Sequence, residues 1–127
     1  MLQIALLVDD DQQVRGYVSA VLRHGGFEVV EAADGTDAVA MVQRVHSTVD
    51  VLVTDIEMPR MTGIELVRAV KNEYPGIPVV YISGRSLPEE LHNPRTRVVF
   101  VQKPFGPRAI LSAVRTVIAP AGRCQPG

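Results

Sequence analysis

Five short apolar runs, separated by stretches of a different pattern, constrain the fold of this chain more than any other feature. The runs are QIALLV (3–8), FEVVEA (27–32), DVLVT (50–54), PVVYIS (78–83) and RVVFVQ (97–102). Their length and largely continuous apolar character are typical of strands that are buried on both faces of a parallel sheet. Apolar residues also recur every three or four positions, which predicts amphipathic helices around 14–22, 38–45, 66–74 and 110–118.

Strands that alternate with helices predict an α/β fold in which helices cover both faces of a parallel sheet. Right-handed crossovers then give a doubly wound five-stranded sheet, for which we expect the flavodoxin-like strand order 2-1-3-4-5. The fourth crossover, GRSLPEELHNPRTR (84–97), contains two prolines and almost no apolar stripe. We therefore expect a short or irregular fourth helix between strands four and five.

Composition narrows the class of protein. The 127 residues suit one domain, which we expect over 1–119, with a flexible C-terminal tail over 120–127. The net charge of −1 gives no bulk attraction to nucleic acid or to an anionic membrane. No apolar run approaches the roughly 20 residues that span a bilayer, and the first residues lack the basic region of a signal peptide. Cys124 is the single cysteine and cannot form an internal disulfide, so we predict a cytoplasmic protein. From the charge and the apolar runs, we predict that it neither inserts into a membrane nor contacts nucleic acid directly.

Three aspartates follow the ends of two predicted strands. Asp9 and Asp10 come directly after the first apolar run, and Asp55 comes directly after the third. Strands one and three are neighbours in the expected order, and their carboxyl ends lie at the same edge of the sheet, so we expect the three carboxylates to share one pocket. Clustered like charges raise each other's pKa or require a cation. Because no Cys or His lies at a strand end, a hard ion with oxygen ligands, Mg²⁺, fits best.

The alternative is that these acids only cap helices or lie in solvated loops, and Asp11 is expected to be such an N-cap. Two further strand ends favour the functional interpretation. Ser83 ends the fourth run, and Lys103 follows the fifth. A hydroxyl donor and a compact cation are the groups required around a phosphoryl oxygen. Serine is common in turns and lysine is common at surfaces, so both gain significance only from their place beside the acids.

Four motifs in register, LLVDDD, VLVTDIEMPRMTG, VVYISG and VQKPF, resemble the signature of the response-regulator receiver domain of two-component signalling. The resemblance extends over residues 3–118. It implies that Asp55 accepts a phosphoryl group from a histidine kinase or a histidine phosphotransfer protein. It also implies that Asp10 binds Mg²⁺ directly, that Asp9 acts largely through water, and that Asp55 and the backbone carbonyl of Glu57 complete the protein ligands. Mn²⁺ is the alternative metal.

The same resemblance assigns roles around the acceptor. It implies that Ser83 is a switch hydroxyl, that Lys103 pairs with the phosphoryl group, and that Phe100 is an aromatic switch residue. The alternative for Phe100 is a plain core or surface aromatic. The resemblance further implies a cis peptide bond between Lys103 and Pro104, and it places Gly63 in the turn that follows the acceptor.

The function expected from the sequence is therefore a phosphoacceptor module that signals by protein–protein contact, with its oligomeric state open. Such a module is not an enzyme in the ordinary sense, because it catalyses only its own phosphorylation and dephosphorylation. One alternative is an aspartyl-nucleophile phosphatase, in which Glu57, two residues after Asp55, would supply the acid/base group. Another is a receiver-like binding module that is never phosphorylated.

Overall fold

The computed structural model of the chain describes residues 2–45, 49–84 and 98–119. Within these ranges the five predicted strands and the four predicted helices are all present. The irregular helix expected within 84–97 lies, beyond Gly84, outside the described residues, as does the tail expected over 120–127. The elements are β1 (Ile4–Val8), α1 (Gln12–His24), β2 (Glu28–Ala32), α2 (Gly35–Val45), β3 (Val51–Asp55), α3 (Gly63–Glu73), β4 (Val79–Ser83), β5 (Val98–Gln102) and α4 (Pro107–Ile118).

The strands form one parallel sheet in the order β2-β1-β3-β4-β5, which confirms the doubly wound fold and the predicted strand order. Val8, the last residue of β1, is in register with Thr54 of β3. Asp55, the last residue of β3, is in register with Ile82 of β4. The residues that follow β1 and end β3 therefore lie side by side at the carboxyl edge of the sheet.

The two faces of the sheet support separate hydrophobic clusters. Leu7 and Val53 pack on the face that α1 and α4 cover, whereas Leu6 and Leu52 pack on the face that α2 and α3 cover. Each fully buried side chain of this size stabilises the fold by roughly 1.5–3 kcal/mol relative to an exposed one. Burial on both faces explains why the central strands read as continuous apolar runs. It also makes them a rigid support for the residues at their ends.

Polar caps begin the two helices that follow the central strands. The side chain of Asp11 accepts hydrogen bonds from the backbone N–H groups of Gln13 and Val14 at 2.9 and 3.2 Å, which confirms it as the N-cap of α1. Thr62 and Glu65 form a reciprocal capping box at the start of α3. Such caps satisfy the orphan N–H groups of the first helical turn and fix where each loop ends. None of the helices in the described ranges has the length and apolar character needed to cross a membrane.

Candidate functional site

Three carboxylates meet at the carboxyl edge of the central strands. Asp9 follows β1 and is 1% exposed, and Asp55 ends β3 and is 6% exposed. Asp10, the next residue after Asp9, is exposed. One oxygen from each of the three side chains lies within 4.8 Å of the other two. The convergence expected from the strand order is therefore present in the fold.

Backbone amides orient the two buried carboxylates. Asp9 Oδ1 accepts a hydrogen bond from the N–H of Asp11 at 2.9 Å, and Asp55 Oδ1 accepts one from the N–H of Glu57 at 3.2 Å. The second carboxylate oxygens of these two residues have different surroundings. Asp55 Oδ2 lies 3.7 Å from the ammonium of Lys103, whereas Asp9 Oδ2 is buried and has no hydrogen-bond partner among the described residues.

Burial and mutual repulsion perturb the titration of these acids. Burial raises the pKa of Asp9 to about 6, and the nearby charge of Asp55 adds to the effect, while the Asp11 amide and Lys103 oppose it. Burial also raises the pKa of Asp55 above its ordinary value, opposed chiefly by the charge of Lys103. Desolvation is therefore the main reason that the charged forms of Asp9 and Asp55 are disfavoured, and the charge of Lys103 offsets only part of it.

The donor set fits a hard divalent cation. A buried carboxylate oxygen without a donor is costly, and a cation relieves that cost by accepting its lone pair. Mg²⁺ and Mn²⁺ both take oxygen ligands, and the three converging acids supply them. The observation that decides the fit is the orphaned Oδ2 of Asp9.

The remaining predicted site residues differ in how far they are buried. Ser83 ends β4, is 2% exposed, and accepts a hydrogen bond at its backbone oxygen from the N–H of Lys103 at 2.7 Å. The bond between Lys103 and Pro104 is cis. Glu57 has an exposed side chain, and its backbone N–H contacts Asp55. Phe100 is half-buried on β5 and packs against the cluster under α2 and α3, not against the acids.

The loop after Asp55 folds back tightly against it. Gly63 donates its N–H to the carbonyl of Ile56 at 2.8 Å. A Cβ on Gly63 would collide with the backbone oxygen of Asp55 and approach its carbonyl carbon to 2.9 Å. The turn that the resemblance placed at Gly63 thus has a steric reason, because only a residue without a side chain can cross so close to the acceptor. Arg60, at φ 68°, supplies the left-handed residue that the turn also needs.

Sequence reasoning missed Arg15. Its guanidinium Nη1 donates to the backbone oxygen of Asp9 at 2.8 Å. The missed signal was positional: Arg15 lies one turn after the N-cap Asp11, and side chains on a helix lean toward its N-terminus. A long cation at that position is therefore directed back toward the acidic loop.

The sequence profile of the response regulator receiver domain matches residues 5–115. The chain therefore belongs to this family, whose domains serve two-component signalling.

Individual relatives agree with the family assignment. The chain is 32% identical over 114 residues to the CAI-1 autoinducer sensor kinase/phosphatase CqsS of Vibrio cholerae, covering 86% of this chain and 16% of that protein. It is 30% identical over 120 residues to the sensor kinase CckA of Brucella abortus, covering 89% of this chain and 12% of that protein. The solved structure of the Vibrio cholerae chemotaxis protein CheY4 matches with a TM-score of 0.82 and 33% identity, covering 92% of this chain and 99% of that one. The chain thus spans less than a fifth of the two kinases.

Proposed function

We propose that this chain is a phosphoacceptor module that takes a phosphoryl group onto Asp55 from a histidine kinase or a histidine phosphotransfer protein and then signals by protein–protein contact. The observation that carries the proposal is the meeting of Asp55 with Asp9, Asp10 and Lys103 at one edge of the sheet. A nucleophilic carboxylate, two further acids for a cation and one ammonium are the groups that phosphoryl transfer to an acid requires.

The chain's own residues would position the nucleophile. The amide of Glu57 holds Asp55 Oδ1, and Lys103 faces Oδ2. In the transfer, one oxygen of Asp55 forms a bond to phosphorus while the phosphorus–nitrogen bond of the donor phosphohistidine breaks. The electron pair of that bond leaves with the imidazole, and the product is an acyl phosphate. Burial of Asp55 at the end of a rigid strand restricts the approach of the donor to the open side of the hollow.

Asp9, Asp10 and Asp55, together with the backbone carbonyl of Glu57, would hold Mg²⁺, or Mn²⁺ in its place. The bound ion would neutralise charge on the phosphoryl oxygens and favour a collinear approach of the donor. The orphaned oxygen of Asp9 supports this assignment.

Lys103 and Ser83 would bind phosphoryl oxygens after transfer. The two residues lie side by side, since the N–H of Lys103 donates a hydrogen bond to the backbone oxygen of Ser83. Phe100, two residues before the end of β5, would respond to movement of this edge as a switch. The alternative is that Phe100 has only a packing role. In that case its environment would not change on phosphorylation.

The proposal extends to the whole chain in four respects. Residues 1–119 would form the receiver domain. The protein would work in the cytoplasm. It would neither contact nucleic acid directly nor insert into a membrane. Its only catalysis would be its own phosphorylation and dephosphorylation.

Incubation with acetyl phosphate or phosphoramidate and Mg²⁺ tests the function, with intact mass as the readout. We expect the gain of one phosphoryl group, its loss when a chelator removes Mg²⁺, and its absence in Asp55→Asn. Asp37→Asn is the matched control, because Asp37 is an exposed acid in the first turn of α2. An unchanged mass in the wild-type protein, or phosphorylation of Asp55→Asn, would contradict the proposal. Sustained hydrolysis of a phosphate monoester that depends on Glu57 would instead indicate the phosphatase alternative.

A further inference from the structure

Arg15 links the acidic loop to two other elements of the fold. It lies on α1, and its side chain is 18% exposed. Besides donating to the backbone oxygen of Asp9 at 2.8 Å, it donates from Nε to Oε1 of Glu31 on β2 at 3.2 Å. We propose that Arg15 is a positioning residue, which holds the peptide between Asp9 and Asp10 in the orientation that metal binding requires.

Glu31 on β2 holds the guanidinium of Arg15 in place. Glu31 Oε2 accepts a hydrogen bond from the hydroxyl of Ser19 at 3.0 Å and lies 3.6 Å from Nη2 of Arg23. Besides Arg15, the anchor of Glu31 is the hydrogen bond from Ser19, because the Arg23 contact is longer and the Arg23 side chain is 57% exposed, so that ion pair contributes little. A planar guanidinium donates in two fixed directions, so an anchored Glu31 aims the Arg15 fork at the carbonyl of Asp9.

The orientation of one peptide controls two candidate ligands. The buried Asp9 and the exposed Asp10 extend from opposite ends of the peptide whose carbonyl Arg15 binds. The backbone contact from Asp9 to β2, from its N–H to the oxygen of Ala32, is long at 3.3 Å. That N–H belongs to the preceding peptide, whereas the hydrogen bond from Arg15 holds the carbonyl of the peptide between Asp9 and Asp10 itself, so its loss would let this peptide rotate and separate the two carboxylates. Residues that orient the ligands of a metal typically change its affinity by about 10–100-fold.

The inference rests on the proposed function, since it assumes that these acids bind Mg²⁺ or Mn²⁺. The test is calorimetric titration with each metal ion alone, in the full chain. We expect Arg15→Met to weaken metal binding by about tenfold. Arg23→Met is the matched control: it removes a cation from the same glutamate but makes no contact with Asp9, and its affinity should stay within about twofold of wild type. Arg15→Lys should be intermediate, because an ammonium cannot serve both acceptors with fixed geometry.

Phosphorylation kinetics provide a second readout that a purely structural role would not move. In Arg15→Met, the metal concentration for half-maximal phosphorylation should rise, while the rate at saturating metal should return close to that of wild type. An Arg15→Met protein that binds each metal ion as tightly as wild type would overturn the inference and leave the proposed function intact. No metal binding by the wild-type protein would overturn the metal site and the inference together. If circular dichroism shows that Arg15→Met does not fold, the comparison of Arg15→Lys with Arg23→Met decides in the same way.

Discussion

The buried charge of Asp9 opposes folding, although Asp9 is one of the acids of the candidate metal site. Burial raises its pKa to about 6, and one of its oxygens lacks a donor among the described residues. A carboxyl whose pKa is higher in the folded than in the unfolded state favours folding while it is protonated. This contribution is present below the unfolded pKa of 3.8 and is lost as the pH rises through about 6. At neutral pH the metal-free protein therefore retains the cost of a buried charge.

Asp9→Asn should remove that cost. The amide keeps an oxygen for the N–H of Asp11 and carries no charge, so we expect the metal-free variant to be more stable at pH 7 by about 1–3 kcal/mol. Urea denaturation in the presence of a chelator, at pH 5 and pH 7, measures the effect. The wild-type protein should lose stability between the two pH values, and the variant should lose less. Some pH dependence should remain, because the pKa of Asp55 is raised as well.

The matched control is Asp10→Asn, which removes the neighbouring charge from an exposed position. Its stabilising effect should be clearly smaller, since little desolvation is relieved. A metal-free Asp9→Asn protein that is no more stable than wild type at pH 7 would show that the burial of this charge costs nothing.

At the scale of elements, the sequence was a good guide wherever apolar periodicity determined the outcome. All five strands were predicted, because two-sided burial leaves a continuous apolar signal that few other structures produce. The boundaries were less accurate. DVLVT was expected to end at Thr54, yet β3 continues to Asp55, which pairs with Ile82. Helix α1 begins at Gln12, before its first apolar residue, because the cap at Asp11 determines the start.

The sequence predicted the three carboxylates of the candidate site better than it predicted the residues that hold them in place. Strand order brings Asp9, Asp10 and Asp55 together. That order is one of the common doubly wound orders, and the resemblance to receiver domains also favoured it. The contact of Arg15 with Asp9 had a positional signal, since Arg15 lies one helical turn after the cap at Asp11. The contact of Arg15 with Glu31 depends on the distance between α1 and β2, which no local pattern encodes.

The loop between β3 and α3 gives a prediction at this scale. Since a Cβ at Gly63 would collide with the backbone of Asp55, Gly63→Ala should push the acceptor out of place and destabilise the fold by about 1–3 kcal/mol. Phosphorylation from acetyl phosphate should slow as well. Thermal unfolding and the rate of mass gain measure the two effects.

Gly16→Ala is the control for the same chemical change. Gly16 lies within α1, and a Cβ there would meet no atom within 4 Å. Alanine favours a helix interior by about 1 kcal/mol over glycine, so this variant should gain stability while Gly63→Ala loses it. Equal effects of the two substitutions would mean that the close approach at Asp55 does not constrain the loop.

At the scale of the whole molecule, the site and the core share the same strands. The acids lie at the ends of β1 and β3, the strands whose side chains support both hydrophobic clusters. Global unfolding must therefore disperse the acids, and a cation bound only by the folded chain stabilises all of it. A bound cation would offset the cost of bringing these charges together, and the same residues would then couple metal binding to the stability of the fold.

This coupling predicts that the stabilities of wild type and Asp9→Asn cross as Mg²⁺ increases. Above its dissociation constant, each tenfold rise in Mg²⁺ should add about 1.4 kcal/mol to the unfolding free energy of wild type. Asp9→Asn begins more stable but lacks a charged ligand, so its stability should rise much less. With a starting advantage of about 1–3 kcal/mol, the curves should meet at roughly 10–100 times the wild-type dissociation constant. Urea denaturation across a Mg²⁺ series, with NaCl added to keep ionic strength constant, measures both curves. Parallel curves would show that Asp9 does not contribute to metal binding, and a flat wild-type curve would show that the folded chain binds no Mg²⁺ in this range.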